Sequence, residues 1–176
     1  MLQLSRLRER YRRSAWLRWS VDGLVLVLLL WAVMAWQTRR LPAAGTPAPA
    51  FSLRTLDGRT VRLEDLRGRP VALTFWAPWC GVCKAESANL DAVRRHVGER
   101  AHVLSVAVAY EDVEAVRRFV REQGADYPVL LGDDALQAAY RVDSFPTTLF
   151  LSADGRVRRS AVGYTTRVGL LWRLWL

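Results

Sequence analysis

Cys80 and Cys83, two residues apart in Trp79-Cys80-Gly81-Val82-Cys83, are the only cysteines of the 176-residue chain and the side chains best suited to chemistry. A single pair cannot make a framework of several bridges, so it is either a redox couple or half of a metal site. Thiolates hold soft copper and zinc ions, but structural zinc needs more ligands than this chain offers. His96 and His102 fall near the far end of the following helix and in the next strand, and read as ordinary surface or core histidines. A purely structural disulfide is a weak reading, because so short a gap closes little loop entropy. A copper-delivering dithiol stays open beside the redox couple.

Position favours reactivity. The apolar run Val71–Trp76 suits a buried strand, and Ala85–Val97 has helical spacing, so Cys80 falls where strand hands over to helix. The free N–H groups and partial positive charge of a helix N-terminus stabilise a thiolate, and Lys84 adds a cation. A lowered pKa gives more of the attacking thiolate at neutral pH. Cys80 is then the exposed nucleophile, and Cys83, one turn inward, is the covered thiol that resolves a mixed disulfide.

The elements that must hold this pair are legible around it. Phe51–Leu56 and Thr60–Leu63 flank Asp57-Gly58, a tight-hairpin signal. Ala101–Ala109 reads as a second buried strand, and Val113, Val116, Phe119 and Val120 mark a helix face. Short strand and helix candidates follow at Val129–Leu131 and Ala135–Tyr140, with Tyr127-Pro128 as strand-entry punctuation. Thr147–Leu151 and Val157–Val162 form a second hairpin around Asp154-Gly155. Val168, Leu171, Trp172 and Trp175 have helical spacing, expected to pack on the sheet rather than touch a membrane surface. The order predicts an α/β domain over 51–176, a central mixed sheet with helices on both faces.

The net charge of +9 is unevenly placed, with eight Arg against Glu9 and Asp22 in residues 1–40 and a near-balanced mixture beyond. That distribution argues against a phosphate-binding face and against nucleic acid. Residues 1–20 form a basic segment, and an apolar run over 21–36, or 16–36 if Arg18 snorkels, reads as one membrane anchor. Trp16, Trp19, Trp31 and Trp36 would mark its interfaces. Six Arg precede the run and Arg39 and Arg40 follow it, which keeps the N-terminus cytoplasmic and sends the rest across. A cleaved signal peptide is the competing reading, but no small-x-small site closes the run. Residues 37–50, with Pro42, Pro47 and Pro49, read as a spacer.

Phe75-Trp76-Ala77-Pro78-Trp79-Cys80-Gly81-Val82-Cys83-Lys84 resembles the active-site segment of the thioredoxin superfamily, and Phe145-Pro146-Thr147 resembles its cis-proline loop. With the anchor, the N-terminal hairpin and the extra material over 101–124, the chain is similar to the bacterial TlpA, ResA and DsbE group, and most of all to the ScsD-type suppressor-of-copper-sensitivity proteins, which share the closing Gly163-Tyr164-Thr165-Thr166. The resemblance implies a thioredoxin-like fold and an inner-membrane, periplasm-facing disulfide oxidoreductase without a prosthetic group. It exchanges disulfides with protein substrates, more as reductant than oxidant. A reductant implies a transmembrane electron donor resembling DsbD, CcdA or ScsB; copper tolerance is one role it suggests. Trp79 and Pro146 are implied as catalytic support.

Two departures from thioredoxin itself matter. Gly81-Val82 stands where it has Gly-Pro, and Thr74 stands where it has a buried Asp. Another proton acceptor is needed. Glu86 shares a stripe with Leu90, Val93 and Val97 at i, i+4, i+7 and i+11, which turns its carboxylate to the core one turn past Cys83. Burial would raise its pKa toward neutrality and let it exchange a proton with Cys83; the ResA-like group has Glu at this spacing. The bland alternative is a solvated first-turn Glu favouring the helix start. A peroxidase on the same fold needs a hydroxyl beside its cysteine, which Pro78-Trp79 does not offer.

Overall fold

The computed structural model describes residues 15–176, and the expected basic residues Arg6, Arg8, Arg10, Arg12 and Arg13 lie outside them. The described residues fall into two units that meet between Gln37 and Thr38. The described part of the first is helix α1, Ala15–Thr38, whose last residue belongs to the second. Its side chains from Leu24 to Val33 are all exposed, so it is apolar around its whole circumference there. Side chains at 15, 17, 18 and 34–38 are outside the described set, and among the described residues no helix is long and apolar enough to cross a membrane.

The second unit holds a seven-stranded sheet. Its strands are β1 (Ser52–Thr55), β2 (Thr60–Arg62), β3 (Val71–Trp76), β4 (His102–Ala107), β5 (Val129–Leu131), β6 (Thr147–Leu151) and β7 (Val157–Val162), in spatial order β2-β1-β5-β4-β3-β6-β7. β3 runs parallel to β4 and antiparallel to β6 at the centre, and β4 runs parallel to β5. Helices α2 (Gly81–Val97), α3 (Val113–Gln123), α4 (Asp134–Ala139) and α5 (Arg167–Trp175) connect or close the strands, and a short 3-10 turn spans Leu63–Leu66.

Every residue of β3 is buried, as expected of a strand covered on both faces. Its side chains alternate between two cores. Ala72 and Trp76 join Leu90, Val93, Val116, Phe119, Leu170 and Leu174 on one face. Val71, Leu73 and Phe75 join Phe51, Leu136, Tyr140 and Leu149 on the other. β4 stops earlier than its apolar run, because Ala109 takes φ 50° and turns the chain away. The Asp57-Gly58 turn forms as expected, with Gly58 at φ 85°, a conformation glycine adopts without cost.

Two expectations change. Residues 41–50 are not a free spacer: Gly45 N–H donates to the Val157 carbonyl at 2.7 Å, Val157 N–H to Thr46 at 2.9 Å, and Tyr140 Oη–H to Pro49 at 2.7 Å. Leu41 and Ala48 enter the second core. The strap satisfies backbone groups along the β7 edge that would otherwise lie open, which is reason enough for it to dock.

The terminal helix does pack on the sheet, but through Leu170 and Leu174; of the expected stripe only Leu171 is partly buried against that core, while Val168, Trp172 and Trp175 are exposed. Two aliphatic side chains at i, i+4 fill that core face, while the indoles meet guanidinium groups, Arg159 lying 4.8 Å over Trp172 and Arg100 5.8 Å over Trp175. Leu170→Ala or Leu174→Ala should therefore each cost about 2–5 kcal/mol of stability, and Trp172→Ala no more than about 1 kcal/mol. Denaturant midpoints followed by near-ultraviolet circular dichroism separate the two classes; equal losses would contradict this packing.

Candidate active site

The site is assembled where β3 ends. Ala77-Pro78-Trp79-Cys80 closes a turn in which Cys80 N–H donates to the Ala77 carbonyl at 3.1 Å, with Pro78 presetting the backbone. Cys80 is then the N-cap of α2: its Sγ accepts the Cys83 N–H at 3.1 Å, where a Ser or Asp oxygen sits in an ordinary cap. The two sulfurs are joined in a disulfide, with Cα atoms 5.2 Å apart.

In this oxidised form the expected contrast between an open Cys80 and a covered Cys83 is absent, at 6% and 4% exposed. The bond to Cys83 and the N–H donor hold the Cys80 sulfur against the first turn. Exposure passes to its neighbours Trp79, Gly81 and Val82.

Trp79 is exposed yet held: its Nε1–H donates to the Ala109 carbonyl at 2.9 Å, and its ring meets Phe145 edge-on at 5.8 Å. The Phe145–Pro146 peptide bond is cis, and Pro146 is buried. Thr147 Oγ1–H donates to the Ser144 carbonyl at 2.7 Å, and Gly163 N–H to the Pro146 carbonyl at 2.8 Å, so this loop is fixed from both sides. Lys84 is drawn to Glu122 of α3 at 3.7 Å, so its charge is shared.

Glu86 faces inward as the stripe predicts, 1% exposed. Its Oε1 accepts the Thr165 N–H at 2.9 Å, while Oε2 is buried with no hydrogen-bond partner. Burial pushes this carboxyl up to about 7, and the Thr165 hydrogen bond partly offsets the rise. Thr74, at the position where thioredoxin has Asp, pairs its hydroxyl with that of Thr148 at 2.9 Å, leaving no charge there.

Sequence reasoning passed over three contributors. Thr165 belongs to the closing Gly163–Thr166 motif, noticed only as a likeness. Asn89, three residues past Glu86, donates from Nδ2 to the Thr165 carbonyl at 3.1 Å and to Tyr164 Oη at 3.0 Å; its spacing from Glu86 was the available signal. Tyr127, read as punctuation, is buried against Ser87 at 2.8 Å, and burial pushes its phenol up to about 12. His102 begins β4 opposite Val71, at the other end of β3 from the cysteines, and His96 is exposed near the end of α2. Among the described residues no group of three or more His, Cys, Asp or Glu is placed to hold a metal ion.

The AhpC/TSA family model matches residues 44–160. The thioredoxin-like protein YneN of Bacillus subtilis (strain 168) is 33% identical over 125 residues, covering 70% of this chain and 74% of that protein. The thiol-disulfide oxidoreductase ResA of the same strain is 32% identical over 123 residues, covering 69% of each. Among solved structures, a putative thiol:disulfide interchange protein DsbE from Chlorobium tepidum superposes with a TM-score of 0.70 at 24% identity, covering 76% of this chain and 96% of that one, a likeness of fold.

The raised Glu86 pKa carries a sign. A carboxyl held at about 7 in the fold against 4.5 otherwise binds its proton more tightly when folded, so its contribution is present in full below the unfolded value and is lost as pH rises through the folded one. Between pH 4.5 and 7 the oxidised protein should lose roughly 2–4 kcal/mol relative to Glu86→Gln. Unfolding titrations at stepped pH test this, and parallel curves for the two proteins would refute it.

Proposed function

The chain belongs to the AhpC/TSA family, its members of thioredoxin-like fold include thiol-disulfide oxidoreductases of the ResA and DsbE kind, and from that premise we propose how this oxidoreductase works and where. The observation that carries the mechanism is a disulfide-bonded cysteine pair at the start of α2, Cys80 capping the helix and Cys83 in its first turn, with a buried, titratable carboxyl one turn behind.

In the reducing direction the Cys80 thiolate attacks one sulfur of a client disulfide. A Cys80–client bond forms as the client bond breaks, and the expelled client thiolate takes a proton from solvent. Cys83 then gives its proton to the Glu86 carboxylate and attacks Cys80 Sγ, forming the Cys80–Cys83 disulfide and expelling the second client sulfur as a thiolate that takes a proton from solvent, while Glu86 returns its proton to solvent. Two electrons pass from the dithiol to the client. A dithiol donor restores the pair by the reverse exchange. Trp79, exposed beside Cys80 and in contact with Phe145 of the cis-proline loop, forms the surface on which the client chain rests, with Pro146 supporting it from beneath.

The reducing direction is supported by electrostatics. Anything that stabilises the Cys80 thiolate stabilises the dithiol form and makes the pair more oxidising. Here Lys84 is committed in part to Glu122, and the Glu86 carboxyl three residues past Cys83 opposes further negative charge. Both features disfavour a strong oxidant.

The same reading takes the apolar run over 21–36, or 16–36 with flanks whose side chains lie partly outside the described residues, as a single inner-membrane anchor, with the N-terminus cytoplasmic and the domain periplasmic. The Arg bias before the apolar run supports it, as does the all-round apolar surface of Leu24–Val33, which suits a lipid environment. Electrons would come from a transmembrane donor of the DsbD, CcdA or ScsB kind. Copper tolerance is one process that the ScsD-type resemblance suggests for this chemistry, beside cytochrome maturation and general disulfide repair.

Equilibration of the protein with glutathione buffers, alongside a Cys83→Ala variant, tests the reading. The expected result is a reversible two-electron couple nearer roughly −270 mV than −120 mV, with Cys83→Ala accumulating Cys80 mixed disulfides and Cys80→Ala forming none. A couple near the oxidising end would reverse the proposed direction, and the lack of any reversible couple would refute the mechanism.

A further inference from the structure

Resting on the reading of Glu86 as the proton acceptor of Cys83, we propose that Asn89 is a positioning residue for the resolving step: its carboxamide locks the Tyr164–Thr165 backbone so that the Thr165 N–H stays on Glu86 Oε1. Thr165 is gripped at both of its backbone polar groups. Its N–H donates to Glu86 Oε1 at 2.9 Å and its carbonyl accepts Asn89 Nδ2–H at 3.1 Å. Three residues apart on α2, Glu86 and Asn89 are neighbours on one face, which is why a single loop residue can engage both.

The orientation of the Asn89 amide is determined by its partners. A carbonyl only accepts, so the nitrogen must face Thr165, and the same nitrogen reaches Tyr164 Oη at 3.0 Å. The loop is also tied on its other side. Gly163, at φ 81°, donates its N–H to the Pro146 carbonyl at 2.8 Å, and Thr165 Oγ1–H donates to the Gly163 carbonyl at 3.3 Å. Residues 163–165 therefore run from the cis-proline loop to the buried carboxyl, and Asn89 holds the end at the carboxyl.

Charge near Glu86 is sparse. On its own helix the titratable neighbours are Cys83 and, further along, Asp91; from the segment before β5 it is Tyr127, whose phenol is raised first by its own burial and then in part by Asp91 and Glu86. The loop before α5 offers the Thr165 N–H, with the Tyr164 phenol exposed at its rim. Oε2 has no partner, and both the N–H and the side-chain hydroxyl that lower the pKa of this carboxyl come from Thr165, so whatever fixes Thr165 sets the pH at which Glu86 can take a proton. A tie serving stability alone would not move that pH.

The experiment uses the full chain in detergent, reduced and mixed with excess 5,5′-dithiobis(2-nitrobenzoate) in a stopped-flow instrument from pH 5 to 9. The first thionitrobenzoate leaves when Cys80 attacks, in a phase that depends on reagent concentration. The second leaves when Cys83 displaces it from Cys80, in a phase that does not, and its rate should rise with pH along a limb that Glu86→Gln removes. Asn89→Ala should move the midpoint of that limb upward by at least about half a pH unit, since a hydrogen bond favouring the charged form is loosened. Asn89→Gln, which keeps the carboxamide, should lie between Asn89→Ala and the natural protein, and serves if Asn89→Ala does not fold. A midpoint unmoved or lowered in the folded Asn89 variants overturns the clamp while leaving Glu86 in place. A limb that survives Glu86→Gln overturns the Glu86 reading, and the clamp with it.

Discussion

The site depends on one hydrogen bond, from the Cys83 N–H to the Cys80 sulfur. It makes a reactive atom serve as a helix cap, so the geometry that starts α2 also aligns the two sulfurs for exchange. β3 supplies the other half of the constraint. A strand buried on both faces cannot shift by a residue without turning its apolar set into the wrong core, so the point where it ends is fixed, and with it the first turn of the helix. The Ala77–Cys80 turn spans the short distance between these two rigid pieces and leaves the cysteines little freedom.

Around that constraint the loops contribute by holding one another. The cis-proline loop is tied through its carbonyl to Gly163, and Trp79 is tied through its indole to Ala109, so the surfaces on either side of the disulfide come from distant parts of the chain yet are fixed to the same sheet end. The strap over 41–50 performs a similar service at β7, where an open edge would otherwise expose its backbone.

What could be read from sequence was what local pattern determines. Val71–Trp76, Thr147–Leu151 and Val157–Val162 are found at their expected bounds, because buried runs bracketed by turn residues leave little choice of register. Glu86 was legible through the stripe it shares with Leu90, Val93 and Val97. The strap was not, because composition rich in Pro and Ala describes the local chain and not the edge that recruits it. The outward turn of Trp172 and Trp175 was missed for a related reason: helical spacing gives a face but cannot choose between two apolar faces when Leu170 and Leu174 compete and distant Arg side chains cover the indoles. Asn89 and Thr165 escaped because their relation is a contact between segments 76 residues apart.

Having the buried carboxyl on a helix rather than a strand changes what its surroundings depend on. With Thr74 and Thr148 satisfying each other, the sheet beneath the cysteines carries no charge, and nothing in β3 or β6 needs to respond to protonation. The carboxyl instead lies on α2 and meets the loop that leads into α5. Its environment is therefore set by the packing of α5, which Leu170 and Leu174 pin to the core and Thr166 begins by capping Gly169 N–H. In a thioredoxin-type sheet with a strand-borne acid, a terminal helix could be cover alone. In this chain it follows directly on the residue whose N–H is the backbone donor to the buried carboxyl, so the last element of the fold is joined to the group behind the cysteines.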